Sequence, residues 1–488
     1  MSLSVAFTTA RSALANSTTQ ITVSGKNVAG ASDPTYSRKI ITTTTTADGS
    51  ARLTSISRAT DAAVYYRMLD ATTSLAGQEA LLSGIEKLQQ TVGDTEDGWS
   101  PAALIGELDS ALQQYANAPD DSSLAQEVVN DAQNLATALN EATESVQTIR
   151  EEADADIASS VTRINELLAE FETLNTAIVR GTALGTDVTD EMDARDAIVS
   201  QLSEELGVET SLRDNNDMAL YTDSGVTLFD KTARAVSFTP TLAYDATTVG
   251  NTVTIDGTPV AGPGATTMAL QGGKLVGLTT LRDDVAVTYQ NQLDEIARGL
   301  IDAFAESDQS GGGGADLPGL FTWSGTGVPT AGTVSPGLAG SISVNTAVDP
   351  ASGGTLSLIR DGGINGANYV YNAGGDESYS AHLLSQSTAL NGTQTFDGAT
   401  GLSTSLSLMG LATASVGWIE GARASVSTEV DYQTTLLTTA STALSNATGV
   451  NIDDEYALQL QYEQAYQASA KLITLIQELY DTLFAAVD

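Results

Sequence analysis

His382 is the only histidine of the chain and cysteine is absent, so neither a two-histidine nor a cysteine metal site can be assembled within one molecule. The stretch around His382 is polar and offers it no companion, which predicts a surface residue. Asp453, Asp454 and Glu455 lie consecutively, without the glycine and alternating ligands of a calcium loop. Acids so placed suit the first turn of a helix, where they meet the positive end of the peptide dipoles. Asp214 and Asp217 fit a hairpin turn. Gly311 to Gly314 invites comparison with a phosphate loop, but no Lys-Ser/Thr follows and no helix starts there, so the run reads as a linker. These residues predict no catalytic group, no metal and no cofactor, and a protein that is not an enzyme.

Composition narrows the field further. Lys and Arg number 21 against 61 Asp and Glu, a formal net charge of −40, which disfavours nucleic acid and anionic membrane surfaces. Apolar residues make up 41% and aromatics 5%, which predicts folded domains with thin cores of small side chains. A chain of 488 residues is expected to form two to four domains. Residues 1–30 lack the apolar core of a secretory signal, and no run of about 18 apolar residues occurs. No membrane insertion is expected, and export would proceed without a cleavable signal peptide.

The two ends of the chain carry the clearest periodicity. From Thr448 to Asp488, Leu458, Ala465, Leu472, Leu479 and Ala486 fall seven apart, and Tyr462, Ser469, Ile476 and Leu483 form a second row four residues on. Asn451 is the expected start of this helix. At the other end Phe7, Leu14, Ile21 and Val28 repeat at seven, with Leu3, Ala10, Ser17 and Ser24 beside them, in a helix expected over Ser4 to Val28. Each seam needs a cover, so the termini are expected to pair as a coiled coil.

Between the ends, Ile40 to Ser57 reads as a threonine-rich hairpin around Asp48-Gly49, and Asp61 to Val92 as a helix ending at a Gly93 to Gly98 loop. A short helix follows from Pro101 to Asn117. From Asp120 to Arg180 there is neither glycine nor proline, and apolar residues recur at helical spacing, which predicts a rod on the order of 90 Å. A helix over Thr189 to Leu206 precedes a change to period two, with strands at Met218–Tyr221, Val226–Phe229, Ala235–Phe238 and Val253–Ile255. Helix returns over Leu275–Glu306, a second β-rich region runs from Gly311 to about Thr404, and helix resumes over Ser407–Ser445.

The fold class so predicted is an elongated, multidomain α+β protein, with a terminal coiled coil and a long helical bundle carrying β-rich insertions. The expected division is a coiled-coil domain of 1–45 with 446–488, a rod domain of 46–209 with 271–310 and 405–445, and β-rich outer domains of 210–270 with 311–404. Helical and β parts are expected to have their own cores.

The loop Asn27-Val28-Ala29-Gly30-Ala31-Ser32-Asp33-Pro34-Thr35-Tyr36-Ser37-Arg38 resembles the Asn-x-x-x-Ala-x-x-Pro-Gly-Tyr-Ser-Arg signature of the flagellar hook-associated protein 1 family, with Thr35 where that family has glycine. Gly449-Val450-Asn451-Ile452-Asp453-Asp454-Glu455, continuing to Tyr462-Glu463-Gln464-Ala465-Tyr466-Gln467-Ala468, is similar to the same family's C-terminal pattern. Asp193-Ala194-Arg195-Asp196, Gly272 to Leu278 and Leu293-Asp294-Glu295 also look like family segments.

The resemblance implies a structural subunit of the bacterial flagellum at the junction between hook and filament. It also implies export unfolded by the flagellar type III apparatus, a chaperone holding the C-terminal helix, and assembly outside the cell with itself, the hook protein and the second junction protein. The assembly interface is expected at Phe7, Leu14, Ile21, Val28, Leu458, Tyr462, Leu472, Ile476, Leu479 and Leu483. Another axial protein, either the second junction protein or a flagellin, is the nearest alternative, disfavoured by Tyr36-Ser37-Arg38 and Gly449 to Glu455. A glycan-binding or hydrolytic surface protein is the alternative from a different class.

Overall fold

The computed structural model describes residues 3–46, 50–92 and 98–486. The hairpin tip expected at Asp48-Gly49, and positions 93–97 of the loop expected from Gly93 to Gly98, lie outside them. The chain opens with helix α1 (Leu3–Gly30), an antiparallel hairpin of β1 (Lys39–Thr45) and β2 (Ala51–Arg58), and helices α2 (Ala62–Val92), α3 (Pro101–Asn117), α4 (Ser122–Leu184) and α5 (Thr189–Glu205). Strands β3 (Val208–Leu212), β4 (Met218–Thr222), β5 (Thr227–Asp230) and β6 (Thr232–Ala233) form one antiparallel sheet in that order. Another holds β7 (Val236–Ser237), β8 (Val253–Ile255) and β9 (Thr258–Ala261). Then come α6 (Lys274–Thr280), a π turn (Leu281–Val285), α7 (Ala286–Ala303), β10 (Phe321–Thr322), β11 (Ser343–Val344), α8 (Leu358–Asp361), α9 (Ala381–Asn391), β12 (Thr393–Thr395) and β13 (Ser405–Ser407). Two long helices close the chain, α10 (Leu408–Thr448) and α11 (Ile452–Ala485).

The spine is α4, unbroken for 63 residues and therefore about 95 Å long. Its ends are chemically marked: the Asp121 side chain accepts from the Ser123 N–H at the start, and Gly185 takes a left-handed φ of 71° at the end. Val128, Leu135, Val146, Ile157, Ile164 and Phe171 are fully or nearly fully buried along it, against α3, α5, α6, α7 and the sheets. The first part of α10 buries Leu411, Val416 and Ile419, whereas beyond Ile419 none of its residues is fully buried and it runs along α2. The body thus hands a helix outward to α11.

The structure differs from the sequence expectation at three places. Separate cores are not found: buried apolar side chains from Leu69 to Ile419 form one continuous cluster, because the sheets lie directly on α4, where Phe171 meets Phe229 edge-on at 5.0 Å between ring centroids. The stretch from Gly311 to Thr404 is mostly turns, with two short ladders, β10–β11 and β12–β13, and the helices α8 and α9. Its glycines adopt left-handed backbone at positions such as Gly311, Gly353 and Gly363, which closes turns too often for a strand to extend. His382 is not a surface residue: it is buried, stacks on Tyr371 at 3.9 Å, and meets Gln386 through Nε2 at 3.1 Å. Burial pushes its pKa down to about 4.

The π turn was not legible in sequence. It buries Arg282, whose guanidinium pairs with Asp154 at 2.6 Å and Asp283 at 2.7 Å. Asp154 also accepts from the Tyr244 hydroxyl and the Thr241 N–H, both at 2.7 Å, so one carboxylate ties α4 to the loop beyond β7.

Candidate assembly interface

The two ends of the chain meet. Helices α1 and α11 pack along each other, and the Ser24 hydroxyl donates to the Glu455 carbonyl at 3.2 Å across the pair. On α1 the buried positions are Ala10, Ser17, Val23, Ser24 and Asn27, with Phe7, Leu14, Ile21 and Val28 half-buried beside them. On α11 they are Glu455, Ser469 and Ile476, with Leu458, Tyr462, Ile473 and Tyr480 half-buried. The row of Tyr462, Ser469 and Ile476 therefore faces α1.

The other row does not. Leu472 and Leu479 are 52% and 47% exposed, and Ala465 and Ala486 are exposed too, with only Leu458 half-buried; Leu483, at the far end of the Tyr462 row, is 50% exposed as well. Leu472 and Leu479, expected to face the N-terminal helix and neighbouring subunits in the assembled junction, are left uncovered by α1 within one chain, for a geometric reason. One helix covers only a narrow stripe of another, and a second apolar row needs a further helix. Leu475 and Phe484 add to the uncovered strip, at 52% and 65% exposure.

A polar anchor fixes this pair to the body. Asn27, buried at the end of α1, donates from Nδ2 to the Lys39 carbonyl at 3.0 Å, while its Oδ1 accepts from the Lys39 N–H at 2.8 Å and the Tyr36 hydroxyl at 2.9 Å. The Tyr36 ring lies over Gly30, where an added Cβ would come within 2.6 Å of it, so this turn requires glycine. Burial raises the Tyr36 pKa. Thr35 replaces glycine at no conformational cost, because its N–H and hydroxyl both bond to Asp33 Oδ1, at 2.9 and 2.7 Å, in a turn with negative φ.

Arg38 then reaches the C-terminal motif twice, its N–H donating to the Thr448 carbonyl at 2.8 Å and its Nε to Glu455 Oε1 at 2.8 Å. The Gly449 N–H closes α10 on the Ser445 carbonyl, Val450 is half-buried, and Asn451 caps α11 by accepting from the Asp453 and Asp454 N–H groups. Asp453 itself is exposed.

Behind this contact sits a cluster of charges. Lys39 and Arg58 face each other across the β1–β2 ladder, an arrangement of like charges that is unfavourable alone. Asp193 on α5 resolves it, pairing with Lys39 Nζ and, at 2.7 Å, with Arg58 Nη1. Arg58 Nη2 pairs with Asp196 at 2.9 Å, the Lys39 ammonium donates to the Thr189 carbonyl at 3.0 Å, and the Ser37 N–H donates to Asp193 at 3.3 Å. The fully buried Arg195 donates to Asn175 at 2.8 Å and to the Asn216 carbonyl at 2.6 Å. Lys26 reaches Asp190 at 2.9 Å, which raises the lysine pKa and lowers that of the carboxylate.

Sequence reasoning picked out Asp193 to Asp196 only as a family-like segment and missed Lys39, Arg58 and Asp190. The signal for them is register, because only the ladder shows two cations opposed. Gly272 to Leu278 has a packing role: Gly277 presses on Gly77 of α2, where a Cβ would stand 2.1 Å from the carbonyl oxygen. Among the described residues no group of three His, Asp or Glu side chains could hold a metal, and no helix is long and apolar enough to cross a membrane.

Comparison with known proteins finds relatives over two regions of the chain. Residues 85–319 match the family described as the flagellar hook-associated protein FlgK helical domain, and residues 441–485 match the flagellar basal body rod FlgEFG protein C-terminal family. Over 263 residues the chain is 26% identical to flagellar hook-associated protein 1 of Salmonella typhimurium, which is 51% of this chain and 45% of that protein. The chain thus spans about half the length of the first curated relatives it matches. To the Bacillus subtilis protein of the same name it is 22% identical over 452 residues, covering 88% of this chain and 84% of that one. In fold it is similar to the flagellar hook junction protein FlgK from Burkholderia pseudomallei, with a TM-score of 0.58, 16% identity, and coverage of 78% of this chain and 99% of the other.

Proposed function

We propose that this chain, similar to flagellar hook-associated protein 1 and matching that family's helical-domain model over residues 85–319, is a structural, non-enzymatic subunit that assembles at the junction between the bacterial flagellar hook and filament. The observation that carries this reading is the terminal pair itself. Helices α1 and α11 satisfy one seam between them and leave Leu472, Leu479 and Leu483 half exposed. An apolar strip of this kind on a chain of net charge −40 is costly in water and pairs with a partner surface. Phe7, Leu14, Ile21, Val28, Leu458, Tyr462 and Ile476 set the geometry of the strip, and neighbouring copies, the hook protein and the second junction protein are the partners it would meet.

The same strip suits a chaperone that holds α11 during type III export of the unfolded chain, and assembly then follows outside the cell. Residues 1–45 with 446–488 act in this reading as the assembling unit, 46–209 with 271–310 and 405–445 as the rod, and 210–270 with 311–404 as the outer part. Electron microscopy of cells lacking the protein tests it. Bare hooks, with filament subunits released into the medium, are expected, and normal filaments would remove the reading.

A further inference from the structure

An asparagine side chain is closed upon by the backbone nitrogen that follows it most readily when the next residue is glycine, because no Cβ shields that nitrogen. The chain has two such pairs, Asn365-Gly366 and Asn391-Gly392. The fold commits one of them and leaves the other free. Gly366 donates its N–H to the Gly363 carbonyl at 2.9 Å. Asn365 donates from its N–H and from Nδ2 to Oε2 of the buried Glu306, at 2.9 and 3.0 Å, and from Nδ2 to the Pro318 carbonyl at 2.8 Å. Nucleophile and amide are both held there.

Asn391 is the exposed last residue of α9, and Gly392 leaves the helix in extended backbone with φ −69° and ψ 156°. The Gly392 N–H makes no hydrogen bond among the described residues. The Asn391 amide donates from Nδ2 to Asp109 Oδ2 on α3 at 3.0 Å and to the Ser387 carbonyl at 2.9 Å. Asp109 also accepts from the Ser387 hydroxyl at 2.6 Å and from Gln113 Nε2 at 2.9 Å, so this carboxylate gathers the polar edge of α9 onto α3.

We infer that Asn391 is a site of self-modification, converted in the folded chain through a succinimide to aspartate or isoaspartate, and that the acid so formed releases the end of α9 from α3. The Gly392 nitrogen gives up its proton to solvent and bonds to the Asn391 side-chain carbonyl carbon. The bond from that carbon to Nδ2 then breaks, and ammonia leaves with a proton from water. A water molecule opens the resulting ring at either carbonyl. Nδ2 has to leave Asp109 before the ring closes, so the rate reports how often the end of the helix lifts. The product sets a second carboxylate against Asp109 where a donor stood, and repulsion replaces a charge-assisted bond. Isoaspartate also lengthens the backbone by one carbon at the joint between α9 and β12. Leu383 and Leu390 stay buried, which confines the release to the polar edge.

The test holds the full-length chain folded at mildly alkaline pH and follows both pairs by mass spectrometry of its peptides, with enzymatic detection of isoaspartate. Asn391 is expected to convert several-fold faster than Asn365, and more slowly at mildly acid pH, where the Gly392 nitrogen keeps its proton. In denaturant the two pairs are expected to react alike, since only the fold distinguishes them. Equal conversion in the folded chain, or none at Asn391, would overturn the inference. Asn391→Asp reproduces the product, and its thermal transition is expected below that of Asn391→Ala, which loses the donor without gaining a charge. A transition no lower than that of Asn391→Ala would contradict the release. Should Asn391→Asp fail to fold, the aged parent answers instead: its transition must fall with conversion, while that of Asn391→Gln, whose longer side chain closes no succinimide, must hold.

Discussion

Arg38 and Glu455 stand 417 residues apart in sequence and 2.8 Å apart in space. Glu455 is 3% exposed in its side chain and Arg38 35%, so the pair sits at the edge of the contact between the hairpin and the start of α11. Each lies within one of the two segments that carry the family resemblance. Those segments are therefore two halves of one joint, closed by an ion pair at one end of an otherwise small-residue seam.

Removing either partner should loosen the joint. Glu455→Ala is expected to cost about 1–2 kcal/mol, discounted because Arg38 is partly solvated, and Arg38→Ala less than that. A double-mutant cycle by thermal unfolding checks it, with a coupling near zero counting against the pair.

Asp193 has a larger role. Asp193→Ala leaves Lys39, 1% exposed, and Arg58, 7% exposed, opposed across the ladder with only Asp190 and Asp196 at the margins. Buried charges stripped of a partner typically cost about 3–5 kcal/mol. Calorimetry should show a markedly lower transition, and Asp193→Asn should recover little because the charge is what is missing.

Asp294 on α7 gives a pH signature. Burial raises its pKa to about 6, from an ordinary value of 3.8, against N–H donation from Gly337 at 2.9 Å and Ala339 at 2.8 Å. The folded chain thus holds this proton more tightly than the unfolded one. Its contribution to stability is complete below about pH 4 and is lost as pH rises through 6, by at most about 3 kcal/mol. Asp294→Asn should remove that fall, so parent minus variant stability should drop between pH 4 and 7 in denaturant titrations. A difference independent of pH would contradict the assignment.

The α1–α11 pair should be the least protected part of the free chain. Its buried positions are mostly small, such as Ala10, Ser17, Ser24 and Ser469, so the area removed from water is modest. Hydrogen exchange is expected to be faster over residues 4–28 and 458–483 than along α4. Equal protection in both would show the pair to be as stable as the rod.

Much of the architecture was readable because its signals are local. The glycine-free run of α4 and the Asn451 cap follow from residue types alone. The anchor was not readable, since opposing Lys39 to Arg58 and bringing Asp193 between them depends on register and on the packing of α5. Heptad spacing predicted the pairing of the ends but not which row is inside. Small residues at Ala10, Ser17 and Ser24 selected the Tyr462–Ser469–Ile476 row, and sequence period carries no such choice.

The central claim is that the exposed row of α11 is the assembly surface, and the double variant Leu472→Asp with Leu479→Asp tests it most directly. Both side chains are about half exposed in the isolated chain, so the thermal transition of the body should move little. In a dry interface between subunits, two uncompensated carboxylates cost several kcal/mol, on the general magnitude for buried charge. Purified double variant added to isolated hooks, where export plays no part, is expected to be absent from the hook tips while remaining folded. Incorporation at the level of the parent chain would show that assembly does not run through this row.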